Sequence, residues 1–572
     1  MTIDNDPVPA HTETKTEAVD AAAPEEGAGE PPPTEPAPPR PADAGEGRVQ
    51  TTWGEDFAFV FEHRYAVLCG LVLLVLVSYL SKNAWAGAVD IWEHAAAARE
   101  LAQRPLHPRH PLLAGVDAPH QFFSPYHLAV GLFSRVTGLS IVTAFNVAAV
   151  ANVVLLFVGL RLFVQALRLR RHADFWALLF MLFLWGPGAW VFSGFHHFDV
   201  LTLVASYPSM FVKGLIFICF WAHLRYLRSG DVRWLLPVLG ISTVVLLAHP
   251  VDAVALAIGV LALTWTADVE RRDRALVLTV AAIGLSVLLA SLWPYYSLTA
   301  LLFGKAAEGF RTAGDAGDRD MYVDVLKRMS LCLVVLPFIV GRLERWRSEP
   351  LAVMFVGLVA AYSYGYLTED WSYGRLIASI QIVAAIILAD ERARVGEMAI
   401  VLGEVGRPLL RWIQVTTAAL VFAGMFFLRN GFDALPERFM ADVPYQWVHG
   451  YVDQVEISDF SFLARNHRSY PVVISDGYTS LEVPTFGSKA VDVARAQAYV
   501  VTAERGQDLG RFYDPASSTD VRREVIAKYH ASLLIVATVD LKNDPGKFQP
   551  LLQLGREVAR NNRFVFVDLR GG

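Results

Sequence analysis

Eleven apolar runs recur between residues 67 and 429, and arginines gather between alternate pairs of them. The runs cover roughly 67–80, 141–165, 174–192, 209–227, 234–249, 251–266, 275–300, 329–341, 350–367, 374–390 and 412–429. In a chain of 572 residues, 54% hydrophobic and 19% charged with a mean hydropathy of +0.37, so much apolar side chain cannot be hidden inside water-soluble cores. A membrane span needs about 20 apolar residues, fewer where the helix is enclosed by others. The pattern therefore predicts a polytopic α-helical membrane protein with about 11 transmembrane helices, the first acting as a signal anchor.

The positive-inside rule orders the runs across the bilayer. Arg168, Arg170 and Arg171 follow the second run; Arg225, Arg228 and Arg233 lie between the fourth and fifth. Arg271, Arg272 and Arg274 follow the sixth, Arg342, Arg345 and Arg347 the eighth, and Arg392, Arg394 and Arg407 the tenth. With the N-terminus cytoplasmic, all five clusters fall in the cytoplasm and the C-terminal tail falls outside. This threading requires residues 234–266 to form two short helices meeting at His249-Pro250 rather than one long one. The chain is expected in the cell membrane as a multi-pass protein.

The two ends differ from the middle. Residues 1–50 carry ten prolines, eleven acids, three bases and no Leu, Phe, Trp or Tyr, so they cannot bury enough surface to order themselves and are read as a disordered cytoplasmic tail. They account for −8 of charge against a chain total of −6, so no nucleic-acid partner is implied. Residues 60–435 form the membrane domain, with a first external loop over 82–127. Residues 440–572 read as a small extracytoplasmic α/β domain. Val472–Ser475, Leu533–Val539 and Phe564–Val567 are its strands, and Ser518 or a neighbour caps a helix running to about His530. Cys69, Cys219 and Cys332 all lie in apolar runs and supply no disulfide framework or cysteine metal site.

Ionisable residues beside membrane spans are costly and mark function by default. Under this threading they collect on one side. The first loop opens Asp90-Ile91-Trp92-Glu93-His94, and the i, i+3, i+4 spacing puts Asp90, Glu93 and His94 on one face of a helix expected to lie along the membrane surface. The same loop ends Phe123-Ser124-Pro125-Tyr126-His127. His196-His197, His249-Pro250 and Tyr373-Gly374-Arg375 fall on that side too, and these four stretches hold eight of the fifteen histidines. Each feature has a plainer reading. Asp90, Glu93 and His94 serve equally as the exposed face of a surface helix, His249 as the cap of a broken helix, His196 and His197 as loop residues. Arg375 serves as an interfacial anchor paired with Glu369 or Asp370. Asp315, Asp318 and Asp320 read as solvated loop acids. The joint placement at one end favours the functional reading.

That layout resembles the GT-C superfamily of integral-membrane glycosyltransferases. The likeness rests on a first span leading to a loop that opens with an acid (Asp90), then Glu93-His94, the Phe123–His127 stretch, the His249-Pro250 break, Tyr373-Gly374-Arg375 at a late span, and an α/β tail. It covers about residues 60–572. It implies an inverting glycosyltransferase that takes sugar from a polyprenyl-phosphate donor to a glycan, lipid or protein acceptor on the extracytoplasmic face. Asp90, with Glu93 second, would be the base and His94 would assist. Arg375, with Lys213 and His249 behind it, would meet the donor phosphate. His196, His197, Tyr126, His127 and Tyr373 would bind substrate. No cofactor is expected; a divalent metal is the secondary option, since Asp90, Glu93 and His94 offer ligands but no zinc-type spacing occurs. The tail is expected to dock the acceptor. The alternatives are a lipid or polysaccharide transporter and a non-catalytic envelope-assembly protein, with membrane lipid the remaining partner in every case.

Overall fold

A computed structural model describes residues 62–82, 84–86, 90–267, 272–428 and 454–571. The expected disordered segment 1–50 lies outside the described residues. Among the described residues six helices are long and apolar enough to cross a membrane by length and composition, and five shorter apolar helices stand with them. All eleven coincide in position with the apolar runs of the sequence.

The helical part runs α1 (Arg64–Leu80), then β1 (Ala84–Ala86), α2 (Ile91–Gln103), α3 (Pro125–Thr137), α4 (Ile141–Ala166), α5 (Ala173–Phe183), α6 (Phe198–Val204) and α7 (Pro208–Ser229). It continues α8 (Leu235–Ala248), α9 (Pro250–Thr266), α10 (Arg272–Ser291), α11 (Glu308–Asp318), α12 (Leu336–Leu343), α13 (Pro350–Thr368), α14 (Leu376–Val401) and α15 (Arg407–Phe427). Residues 234–266 are indeed two helices. His249 sits between them at φ −157° and ψ 85°, outside the helical region, and Pro250 starts the next helix where its missing N–H costs nothing. The third run is shorter than expected. It stops at Phe183, and Gly186-Pro187-Gly188 leads into irregular chain because the backbone there donates outward, Gly186 N–H to Arg328 O at 2.7 Å.

Close glycine contact sets the packing of α4 on α7. A Cβ on Gly159 would stand 2.6 Å from Gly214 O, and one on Gly214 2.8 Å from Leu155 Cγ, so the two backbones meet where only hydrogen fits.

The tail forms a mixed five-stranded sheet in the order β4-β3-β5-β7-β6. Its strands are β3 (Val472–Ile474), β4 (Lys489–Ala490), β5 (Leu533–Ala537), β6 (Arg556–Arg560) and β7 (Phe564–Asp568). Strands β3, β4 and β5 run parallel, and β7 is antiparallel to β5 and β6. The helices α16 (Ala503–Tyr513) and α17 (Thr519–Tyr529) accompany it, and Ser518 caps α17 by accepting from Val521 N–H. The sheet domain is joined to the first loop by backbone bonds. β1 pairs antiparallel with β2 (Gln454–Glu456), and Ala490 exchanges bonds of 2.8 and 2.9 Å with Leu112 and Ala114.

This union corrects one expectation. Helix α2 presents no exposed polar face; it is enclosed between the bundle and the tail. Trp92, Glu93, His94 and Glu100 are each 3% exposed or less. Thr485 Oγ1 donates to Trp92 O at 3.0 Å, and Lys489 Nζ donates to Glu100 Oε2 at 2.8 Å.

Candidate functional site

The first loop, the bundle end and the tail together enclose a cavity of about 700 Å³. Asp90, Glu93, Arg375 and Arg495 line it, with Tyr207, Phe122 and Trp85 among its aromatic walls. Asp90 is the N-cap residue of α2 and keeps 35% of its side chain open. Glu93, one turn on, is buried, and burial pushes its carboxyl up to about 7, with Arg495 opposing and Asp90 reinforcing the shift. Arg495 Nε stands 3.7 Å from Glu93 Oε1.

Behind Asp90 runs a chain of imidazoles. His94 Nε2 lies 3.9 Å from Asp90 Oδ2, His94 Nδ1 is 2.8 Å from His127 Nε2, and His127 Nδ1 is 2.8 Å from Ser124 Oγ. The two rings stack at 4.9 Å. Burial lowers His94 to about 3 and His127 well below its ordinary value, so both are neutral at physiological pH. Tyr207 lines the cavity beside Asp90, and burial, reinforced by the Asp90 charge, pushes its phenol well above its ordinary value. The turn that carries Tyr207 is pinned in turn: Tyr126 donates to Ser206 O at 2.5 Å, and Asn152 Nδ2 donates to Ala205 O at 2.9 Å. Tyr126 therefore acts through Tyr207 rather than facing the cavity.

Arg375, at the entrance to α14, does not pair with Glu369 or Asp370. Its Nε and Nη2 donate to Asp318 at 3.0 and 2.8 Å, and its Nη1 to Ser193 Oγ at 3.0 Å. Asp318 is only 4% exposed and so is not the solvated loop acid the sequence suggested, whereas Asp320, bound to Arg328 at 2.8 Å, keeps 45% of its side chain open. Spacing could not reveal the Asp318–Arg375 pair, because α11 and the start of α14 meet across 57 residues.

The remaining expected residues lie elsewhere. Lys213 is buried in the bundle, where its ammonium donates to the Asp252 carboxylate and to Ser379 Oγ, the latter at 2.7 Å. His249 Nδ1 stands 3.0 Å from Asp252 Oδ2. The three form one ionic group with no place in the cavity lining. His196 is buried nearby, and neither of its ring nitrogens has a hydrogen-bond partner among the described residues. His197 Nε2–H donates to Trp190 O at 2.8 Å. Tyr373 packs against Tyr364 with ring centres 5.6 Å apart. Among the described residues no group of three or more His, Cys, Asp or Glu side chains is arranged to hold a metal ion.

Tyr207, Ser193 and Arg495 are candidate site residues the sequence did not single out, and Asp318 is one it read only as a loop acid. Tyr207 stands before Pro208 in an apolar stretch, and Arg495 is 402 positions from Glu93. Neither carries a local signal.

No protein-family model and no curated protein matches this chain. Solved structures do. ArnT from Cupriavidus metallidurans bound to undecaprenyl phosphate aligns with a TM-score of 0.52 at 14% identity, over 89% of this chain and 98% of that one. The archaeal oligosaccharyltransferase AglB from Archaeoglobus fulgidus, in complex with an inhibitory peptide and a dolichol-phosphate, aligns with a TM-score of 0.52 at 10% identity, over 90% and 75%. An oligosaccharyltransferase structure from the same organism, a complex with Zn and sulfate, aligns with a TM-score of 0.50 at 13% identity, over 83% and 68%. At such identities the likeness shows the fold alone: a bundle of apolar helices followed by a C-terminal sheet domain.

Proposed function

We propose that this chain is a membrane glycosyltransferase that moves a sugar from a polyprenyl-phosphate donor to an acceptor hydroxyl, with inversion, at the cavity between α2 and the start of α14. The observation that carries this reading is that one cavity of about 700 Å³ joins Asp90, a partly open carboxylate, to the Arg375 guanidinium. The structural neighbours were solved with undecaprenyl phosphate and dolichol-phosphate, which supports a lipid-phosphate donor here. The acceptor is a glycan, lipid or protein of the cell envelope.

In this reading Asp90 accepts the proton of the acceptor hydroxyl as its oxygen bonds to the anomeric carbon. The bond from that carbon to the phosphate oxygen breaks, and the lipid phosphate leaves with the bonding pair. Arg375, held rigid by Asp318 and Ser193, meets the growing negative charge without having to reorganise. His94 faces the Asp90 carboxylate from one side and Tyr207 stands beside it. The chemistry lies on the extracytoplasmic face of the cytoplasmic membrane, with the N-terminus inside; cysteine labelling of the tail in intact cells tests that orientation. No resident metal is part of the proposal.

Asp90→Asn tests the base. It preserves shape and removes the proton acceptor, so transfer should fall about 10²–10⁴-fold while the protein inserts normally and lipid-linked sugar accumulates. Arg375→Ala should do the same with a weaker grip on the donor. Unchanged glycan in both variants would overturn the assignment, and loss of lipid movement with transfer intact would indicate a transporter.

A further inference from the structure

We infer that the end of the helix bundle opposite the Asp90 cavity holds a binding site for the head group of an anionic phospholipid, with Arg168 and Arg228 as its phosphate-binding cations. The inference goes beyond the transfer reaction and does not depend on it.

A second cavity, of about 550 Å³, opens where α4, α7 and α9 end and α13 begins. Arg168 and Arg228 line it beside Leu224, Leu227 and Leu263. Helix α7 fixes its depth. Tyr207, which precedes α7, lines the Asp90 cavity, and Arg228, in the last turn of α7, lines this one. At 1.5 Å per residue the two are about 30 Å apart, the thickness of the hydrocarbon core of a bilayer. With the Asp90 cavity at one membrane face, the second falls at the head groups of the other. Under the threading by positive charge that is the cytoplasmic leaflet, which carries anionic lipid.

The arginines at this end divide into two groups. Around α12 and α14 they have acids of their own: Arg342 pairs with Glu349 at 3.0 Å and Glu391 at 2.8 Å, Arg394 with Glu391 at 2.6 Å, and Arg170 with Asp390 at 3.3 Å. Around the cavity they do not. Among the described residues no carboxylate lines it and neither Arg168 nor Arg228 enters an ion pair; the Arg228 guanidinium donates to Ala166 O. The charges that act on Arg228 are those of Arg168 and Arg225, both of like sign. Arg168 follows α4 in the left-handed region at φ 56°, which L residues avoid, and its exposed guanidinium has no hydrogen-bond partner among the described residues. Orientation accounts for arginines at this end of the bundle, but not for a cavity that gathers the unpaired ones.

Two like charges beside an open cavity are relieved by an anion placed between them. A phosphodiester can accept from both guanidinium groups, and the leucine walls suit the glycerol backbone and first methylenes of a lipid, from which a soluble phosphate would gain nothing. Trp265 and Trp346, half-exposed with ring centres 6.0 Å apart, stand within two residues of lining positions and mark the head-group level.

The test measures binding of phosphatidylglycerol and phosphatidylcholine to the full-length protein in detergent by native mass spectrometry, with inorganic phosphate as competitor. It compares wild type, Arg168→Asn, Arg168→Lys, Arg228→Gln and Arg233→Gln, the last an exposed arginine at the same end that does not line the cavity. Asn tolerates the left-handed backbone at 168. Wild type should bind phosphatidylglycerol about tenfold more tightly than phosphatidylcholine, whose choline the arginines repel. Arg168→Asn and Arg228→Gln should each weaken phosphatidylglycerol about tenfold and Arg168→Lys about threefold, with Arg233→Gln unchanged. Thermal midpoints equal to wild type identify folded variants, and the Arg168 variants carry the test if Arg228→Gln fails that check. Equal affinity of wild type for the two lipids overturns the site, as does wild-type affinity for phosphatidylglycerol in folded Arg168→Asn. A loss in Arg233→Gln as large as in Arg168→Asn overturns it too, since the attraction would then be diffuse charge. Displacement of phosphatidylglycerol by equimolar inorganic phosphate overturns the lipid as occupant in favour of a soluble anion.

Discussion

Beside Asp90 ends a hydrogen-bonded chain whose direction follows from elementary chemistry, its last step to the carboxylate being an electrostatic contact of 3.9 Å. Of the two arrangements open to neutral His94 and His127, one would turn the lone pair of His94 Nε2 toward a carboxylate and is repulsive. In the other, Ser124 O–H donates to His127 Nδ1, His127 Nε2–H donates to His94 Nδ1, and His94 Nε2–H faces Asp90 at 3.9 Å. His127 is thus a positioning residue. Its replacement by Phe keeps ring volume and removes both bonds, leaving His94 to choose its tautomer. Transfer turnover should fall about tenfold with donor KM changed less than threefold, and Ser124→Ala should show a milder version. Steady-state kinetics at saturating donor check this, and an unchanged turnover in His127→Phe refutes the relay. The sequence exposed Asp90, Glu93 and His94 because three residues within one helical turn share a face whatever surrounds them. It could not expose Tyr207 or Arg495, which reach the site only through tertiary contact.

Helix boundaries were legible wherever a residue changes what the backbone can donate. Pro250 marks the break between α8 and α9 for that reason, and Ser518 marks the start of α17. Gly186-Pro187-Gly188 marked the end of α5 equally well, but averaged hydropathy over 174–192 conceals it because Leu184, Trp185, Ala189 and Trp190 keep the stretch apolar. The depth at which α4 and α7 meet was hidden, since a glycine in a span signals close approach only when its partner is known. That contact makes a prediction at the element scale. Gly159→Val would drive side-chain atoms into Gly214 O and force the helices apart, at a cost of about 1–3 kcal/mol or more. Gly240→Ala, in α8 with open space where its Cβ would lie, should change little. Thermal unfolding of detergent-solubilised protein separates the two, and equal midpoints would show that the α4–α7 crossing yields to added volume.

The whole molecule binds its tail to its first loop so closely that His94, His110, His120 and His127 of the loop become interior groups, and this gives the fold a pH dependence of definite sign. Burial lowers His94 and His120 to about 3, His110 to about 2 and His197 to about 4, with His127 and His196 also well below the ordinary value of 6.5. Between those values and 6.5 the unfolded chain binds protons that the native chain refuses, so stability is fully present above about 6.5 and is lost as pH falls. Glu93 acts in the opposite sense: its carboxyl, raised to about 7, makes stability fall as pH rises from 4.5 to 7. Six histidines oppose one carboxyl, so the thermal midpoint should drop steeply from pH 7 to pH 5. His110→Asn isolates one contribution. His110 Nδ1 accepts from Leu112 and Leu113 N–H at 3.3 and 3.0 Å, and an Asn oxygen can take both bonds without titrating. The variant should lose stability less steeply below pH 6.5, by about one proton's worth. A wild-type midpoint flat between pH 7 and pH 5 would mean that the loop histidines meet water, and that the tail does not close over the first loop as the sheet pairing of β1 with β2 requires.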